Sequence, residues 1–232
     1  MIKPIYLYGD GIGKIEYVEH MGSDLSVVNS ARVSFGRHKE VVEEADKKLI
    51  NYLIKHRHTS TLEHCVVTFR FKVPLFVRSQ HHRHRTWSYN EISRRYTDFN
   101  IEFYNPERYR TQHDSNRQAS NEDEFVNGPA AHPILGCNVT EAVRRFHNAA
   151  LNMYNNLLEV GVCREQARGV LPQSMYTEYY GTANLNNILK FVDLRIHAGA
   201  QGEIQEVAKA ILKITKKLYP ITVGAYEKAK ES

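Results

Sequence analysis

Between Cys65 and Val73 the chain alternates in a way that fixes its local structure. Cys65, Val67, Phe69, Phe71 and Val73 share one face, and Val66, Thr68, Arg70 and Lys72 share the other. Side chains of a strand point alternately to opposite faces, so this is a strand with one face in a core. Pro74 stops it, because proline cannot donate to a sheet ladder, and can open a short helix. Further strands are expected within residues 4–20, around turns at Gly9-Asp10-Gly11 and Gly13, and at residues 99–104 and 174–182.

Helical patterns fill most of the remainder. Ser23 or Asp24 caps a short helix that runs through Ala31. Residues 40–55 carry Val42, Ala45, Leu49 and Leu53 on one stripe. A polar loop over residues 56–64 follows. Asn138 with Glu141 resembles a capping box. It opens a helix with Val139, Ala142, Val143, Phe146, Ala149, Ala150, Met153 and Leu157 on one face. A short helix ends before Pro172, two more cover residues 184–195 and 201–218, and a last one starts at Pro220. There is no internal repeat and no alternating strand–helix rhythm. The pattern predicts one α+β domain over residues 1–232, with a mostly antiparallel sheet. Residues 105–136 are polar and contain Asn127-Gly128-Pro129 and Pro133, which predicts a variable, irregular insertion.

Composition narrows the function classes. The chain has 232 residues, enough to bury a sizeable core, and no apolar run long enough to span a membrane. Its N-terminus lacks the apolar core of a signal peptide. Cys65, Cys137 and Cys163 form neither a disulfide framework nor a zinc spacing, so a cytoplasmic location is expected. A formal net charge of +5 suits anionic partners, whether nucleic acid or phosphorylated small molecules.

One stretch concentrates that charge. From Arg78 to Tyr96 it carries Arg78, Arg83, Arg85, Arg94 and Arg95, three histidines, the single tryptophan Trp87 and one acid, Glu91. No apolar period runs through it, so it reads as a functional loop leaving a rigid element. Arginine suits phosphate and carboxylate because its planar fork donates two parallel hydrogen bonds. A metal site is disfavoured: His81 and His82 are adjacent and point apart on a helix, and Arg83 and Arg85 repel a cation. Cys65 reads as packed in a strand, and Cys163 lies near a helix start where a thiolate is stabilised. No glycine-rich phosphate loop is present, so a nucleotide must be held by side chains. Nucleic-acid binding without catalysis stays open on charge, with Trp87, Tyr89 and Tyr96 able to stack on bases. Thr177, Tyr179 and Tyr180 read as strand residues. Arg168 and Arg195 lie beside apolar neighbours, and a semi-buried Arg needs either a structural salt bridge or an anionic ligand.

Arg83-His84-Arg85, seven residues and then Ser93, with Asn90-Glu91 and Arg95-Tyr96 around it, resembles the signature of flavin-dependent thymidylate synthases. Ala31-Arg32-Val33-Ser34-Phe35 and His58-Thr59-Ser60-Thr61-Leu62-Glu63-His64 look like further family segments. So do Arg164-Glu165-x-Ala167-Arg168-x-x-Leu171-Pro172, Asn184, Leu194-Arg195 and Ala200-Gln201-x-Glu203-Ile204. The resemblance implies a homotetramer with FAD-bearing sites at subunit contacts. The implied reaction turns dUMP into dTMP, with 5,10-methylenetetrahydrofolate giving the carbon and NADPH giving a hydride through FAD. It also implies that His58, Ser60, Arg83, His84, Arg85, Glu91, Asn184, Asn186 and Lys190 contact the flavin. Lys190 stands where relatives often carry Asn or His, and His197 lies two residues before the usual histidine. Gln80, Arg83, Glu91, Ile92, Ser93, Arg94, Arg95, Arg168 and Arg195 would line the dUMP site, Arg195 catalytically by favouring the N3-deprotonated uracil. No metal is implied, and nucleic acid is not an expected partner.

Overall fold

The structure, a computed structural model, describes residues 2–126 and 137–231. In chain order its elements are β1 (Ile5–Tyr6), β2 (Lys14–Met21), α1 (Asp24–Arg32), α2 (Glu44–Lys55), β3 (Val66–Pro74), α3 (Leu75–His81), β4 (Ser88–Glu91), β5 (Arg110–Gln112), β6 (Ser120–Phe125), α4 (Val139–Glu159), α5 (Arg164–Ala167), β7 (Tyr176–Asn184), α6 (Leu185–Arg195), α7 (Gly202–Leu218) and α8 (Pro220–Glu231). The α+β class and the antiparallel sheet agree with the sequence pattern.

The alternating stretch is β3, the central strand of a sheet whose order is β1-β2-β3-β7-β4 with every pair antiparallel. Register places Val67 opposite Ala183, Phe69 opposite Gly181 and Phe71 opposite Tyr179. All six are on the buried face, which packs with Ile188, Phe191, Val207, Ile211 and Ile214 of the helices in one core. The other face stays polar: Arg70 pairs with Glu178, and the Thr68 and Thr182 hydroxyls hydrogen-bond at 3.0 Å. Gly181 is required here, since a Cβ would stand 2.8 Å from Phe71 Cε2.

Several expectations need correction. The α2 helix begins at Glu44, where the Glu43 N–H donates to Asp46 Oδ2 at 2.9 Å. Its buried stripe is Asp46, Ile50 and Leu53, with Ala45 exposed. Residues 99–104 form no strand, only one isolated bridge from Phe103 to Met175. The polar insertion is not wholly irregular, because β5 pairs with β6 as a hairpin. Its Asn127-Gly128-Pro129 and Pro133 lie outside the described residues. The Arg-rich stretch contains β4, so it is an edge strand over part of its length. On α4 the Asn138 side chain accepts the Glu141 N–H at 2.8 Å, but Glu141 pairs outward with Arg144 and Arg145, so the capping box is half made. The buried face of α4 is His147, Ala150 and Tyr154, while Phe146 and Met153 stand 57% and 52% exposed.

Candidate active site

A buried aromatic cluster anchors the Arg-rich stretch. His81, at the end of α3, is fully buried, and its Nδ1 lies 2.9 Å from the Tyr179 hydroxyl. Its ring contacts Trp87 at 4.6 Å, Phe191 at 4.7 Å and Phe71 at 4.9 Å between centroids. Burial holds the His81 pKa well below the ordinary histidine value, with His84, His82 and Arg195 adding to the effect. The Tyr89 hydroxyl donates to the carbonyls of His81 at 2.9 Å and His84 at 3.1 Å, and so pins the turn between α3 and β4. Sequence reasoning missed this cluster. Its signal was the short alternation of Trp87, Tyr89 and Glu91 against Ser88 and Asn90, obscured by flanking arginines.

On that platform the expected site residues fall into three groups. In the first, Arg195 Nε donates to His84 Nε2 at 3.1 Å and Arg195 Nη2 donates to the Gln80 carbonyl at 3.2 Å. Accepting that bond requires an unprotonated His84 Nε2, and burial with the nearby guanidinium lowers His84 to about 4. Burial also lowers the Arg195 pKa. The Gln80 side chain bonds Gln201, whose Nε2 donates to Glu203 at 2.9 Å. Glu203 also accepts from Arg110 at 2.8 Å, which ties the β5–β6 hairpin to this group. Arg83 and Arg85 are exposed on the same turn.

The second group surrounds the loop after β4. Glu91 Oε1 accepts from Arg78 Nε at 3.0 Å and from the Thr177 hydroxyl at 2.7 Å. Neither Arg78 nor Thr177 was expected at the site. The Ile92 N–H donates to the Glu178 carbonyl at 2.9 Å, continuing the edge pairing. Ser93 Oγ accepts the Arg95 N–H at 3.3 Å. Arg94 is turned inward and donates to the Phe99 carbonyl at 2.7 Å, so it shapes the loop; its Nε has no partner among the described residues. Arg95 pairs with Glu165 at 3.2 Å, and Arg168 Nε donates to the Glu165 carbonyl at 3.3 Å. Arg168 is exposed, not semi-buried as its neighbours imply.

The third group runs along α6. Asn184 caps that helix by accepting the Asn187 N–H at 3.0 Å. The buried Asn186 donates to Glu63 Oε1 at 3.0 Å. Exposed Lys190 lies one turn further on; exposed His58 precedes the 3-10 turn Thr59–Leu62, and exposed Ser60 lies within it. Because Asn184 and Arg195 bracket α6, this one helix links the first and third groups.

Charge distinguishes the site from a structural network. Among the described residues, Arg83, Arg85, Arg168 and Arg195 take part in no ion pair. The choice left open for Arg195 thus falls away from a salt bridge: it is half-buried, oriented and without a carboxylate. Cys65, by contrast, is buried with its thiol pushed up to about 11 by burial, unsuited to nucleophilic work.

Residues 16–221 match the family model described as thymidylate synthase complementing protein. A flavin-dependent thymidylate synthase of Thermus thermophilus is 42% identical over 215 residues, covering 93% of this chain and 76% of that protein. One of Kosmotoga olearia is 44% identical over 216 residues, covering 92% and 90%. The crystal structure of a UMP/dUMP methylase from Streptomyces cacaoi bound with 5-Br dUMP superposes with a TM-score of 0.81 at 32% identity, covering 97% of each chain. With the signature seated on its aromatic platform and the match extending over nearly the whole length, this chain belongs to the flavin-dependent thymidylate synthase family.

Proposed function

We propose that this chain methylates dUMP to dTMP, taking its carbon from 5,10-methylenetetrahydrofolate and a hydride from NADPH relayed by FAD, and releasing tetrahydrofolate. The observation that carries the reading is Arg195, a half-buried guanidinium fixed by His84 and Gln80 and lacking any acidic partner among the described residues. Uracil must become electron-rich at C5 before it can take up a one-carbon unit. A cation held beside N3 and O4 favours loss of the N3 proton and stabilises the resulting anion, as an oxyanion hole does. Two of the Arg195 nitrogens already bond the protein, so the guanidinium meets substrate without reorganising.

Gln80, Arg83, Glu91, Ile92, Ser93, Arg94, Arg95 and Arg168 join Arg195 in the proposed dUMP site. Exposed, unpaired arginines suit a phosphate, and Ser93 suits a hydrogen bond to nucleotide. FAD fits the donor set present. His58, Ser60, Arg83, His84, Arg85, Glu91, Asn184, Asn186 and Lys190 would hold it, with arginines for its phosphates and side-chain amides for its ring. Bound flavin supplies the hydride chemistry, and the protein supplies placement and charge. The reading includes a homotetramer, which the exposed apolar side of α4 favours.

The test is chromatographic detection of dTMP after incubation with dUMP, methylenetetrahydrofolate, NADPH and FAD. Product that requires all four supports the proposal, and absence of dTMP in the complete mixture refutes it.

A further inference from the structure

The third group opens into a groove of about 360 Å³ whose lining the proposed reaction only partly uses. Buried Leu53, Leu62 and Leu189 contribute its apolar part, and exposed Lys55, Arg57 and Lys190 stand at its rim. Lys230 is neutralised by Asp193 at 2.8 Å, and Asp193 also accepts from the Tyr226 hydroxyl at 2.5 Å. Lys55, Arg57 and Lys190 take part in no ion pair among the described residues.

Arg57 sits where its backbone disfavours it. The Arg57 N–H donates to the Ile54 carbonyl at 3.1 Å and the His58 N–H donates to the Leu53 carbonyl at 2.8 Å. Those two bonds close α2 with a Schellman motif and put Arg57 at its left-handed position, with φ of 55°. Glycine fills that position at least cost. A long cationic side chain held there, beside two unpaired lysines, points to an anion as its partner.

The geometry points to this groove as the seat of the phosphorylated adenosine half of the dinucleotide reductant, an inference that rests on the thymidylate synthase reading. The leucines meet the adenine face, and Arg57 with Lys55 takes the 2′-phosphate that NADPH carries and NADH lacks, while Lys190 stays with the flavin. The rim is exposed, as suits a ligand that enters and leaves in each turnover. Lys190 and Arg195 lie on one helix about 7.5 Å apart along its axis, so the other end of the dinucleotide reaches the first group.

The experiment is steady-state kinetics of the FAD-loaded enzyme with NADPH and NADH, for the wild type, Arg57→Gly and Lys55→Ala. The wild type is expected to show a lower KM for NADPH. Arg57→Gly is expected to raise the NADPH KM roughly tenfold, the loss of about one charged contact, and to leave the NADH KM within about twofold. Lys55→Ala is expected to act in the same direction, and thermal unfolding of Arg57→Gly to move upward as the left-handed residue becomes glycine. Unchanged NADPH KM in both variants overturns the inference. So does a loss of FAD affinity at unchanged NADPH KM, which assigns the groove to the flavin, or a rise only in the folate KM. Because each outcome is read in an enzyme whose wild type makes dTMP, failure here is distinct from failure of the reaction itself.

Discussion

A guanidinium that donates Nε–H to an imidazole nitrogen needs that nitrogen unprotonated. His84 meets the need because burial, then Arg195, lowers it from 6.5 to about 4. Between about pH 6.5 and about pH 4 the unfolded chain binds a proton that the folded chain refuses. The stabilisation is therefore full above about pH 6.5 and is lost as pH falls toward 4. Buried His81 acts in the same direction. Urea unfolding is expected to give lower stability near about pH 5 than near about pH 7.5, with a smaller difference in His84→Gln. An equal difference in the two proteins would show that His84 plays no part. At this scale Arg195 was legible, since a polar side chain among apolar neighbours asks for a partner. That its partner would be a histidine 111 positions away was not, because no local pattern encodes a contact made by the meeting of α6 with the signature turn.

The elements were legible where one period dominates and obscure where function adds charge. The alternation at 65–73 gave β3 because its inward residues have no role besides packing. The same period in β4 was hidden because its outward and flanking positions carry polar and charged groups. The β5–β6 hairpin escaped because its stability includes a tertiary tie, Arg110 to Glu203, and not an apolar face. A second tertiary device is Asp24. It looks like the start of α1 alone, yet its buried carboxylate accepts the N–H groups of Ile221 at 3.0 Å and Thr222 at 2.9 Å and the Thr222 hydroxyl at 2.6 Å. One side chain thus caps α8 from the opposite end of the sequence. Asp24→Ala leaves those donors without their acceptor and is expected to cost about 2–3 kcal/mol, measured as a shift in denaturant midpoint at constant slope. A midpoint within error of the wild type would mean that water replaces the carboxylate without loss.

On the whole molecule, the periodicity of α4 identified a real apolar face but not what it meets. Phe146, Ala149 and Met153 face outward in the single chain, since His147, Ala150 and Tyr154 take the buried side. A stripe written for an intermolecular contact has the same period as one written for the chain's own core, so sequence cannot separate them. Phe146→Glu is expected to reduce the mass measured by light scattering and to lower bound flavin with it; an unchanged mass would remove α4 from the proposed subunit contact. Arg195, held by His84 and Gln80 and without a carboxylate partner among the described residues, is proposed to activate dUMP beside the flavin. Titrating dUMP into the FAD-loaded protein while recording the flavin absorbance tests that role most directly, in the wild type and in Arg195→Ala. A saturable shift of the flavin bands is expected in the wild type. In Arg195→Ala the flavin is expected to be retained, the shift weakened and turnover reduced about 100-fold or more. Identical titrations and equal turnover in the two proteins would contradict it.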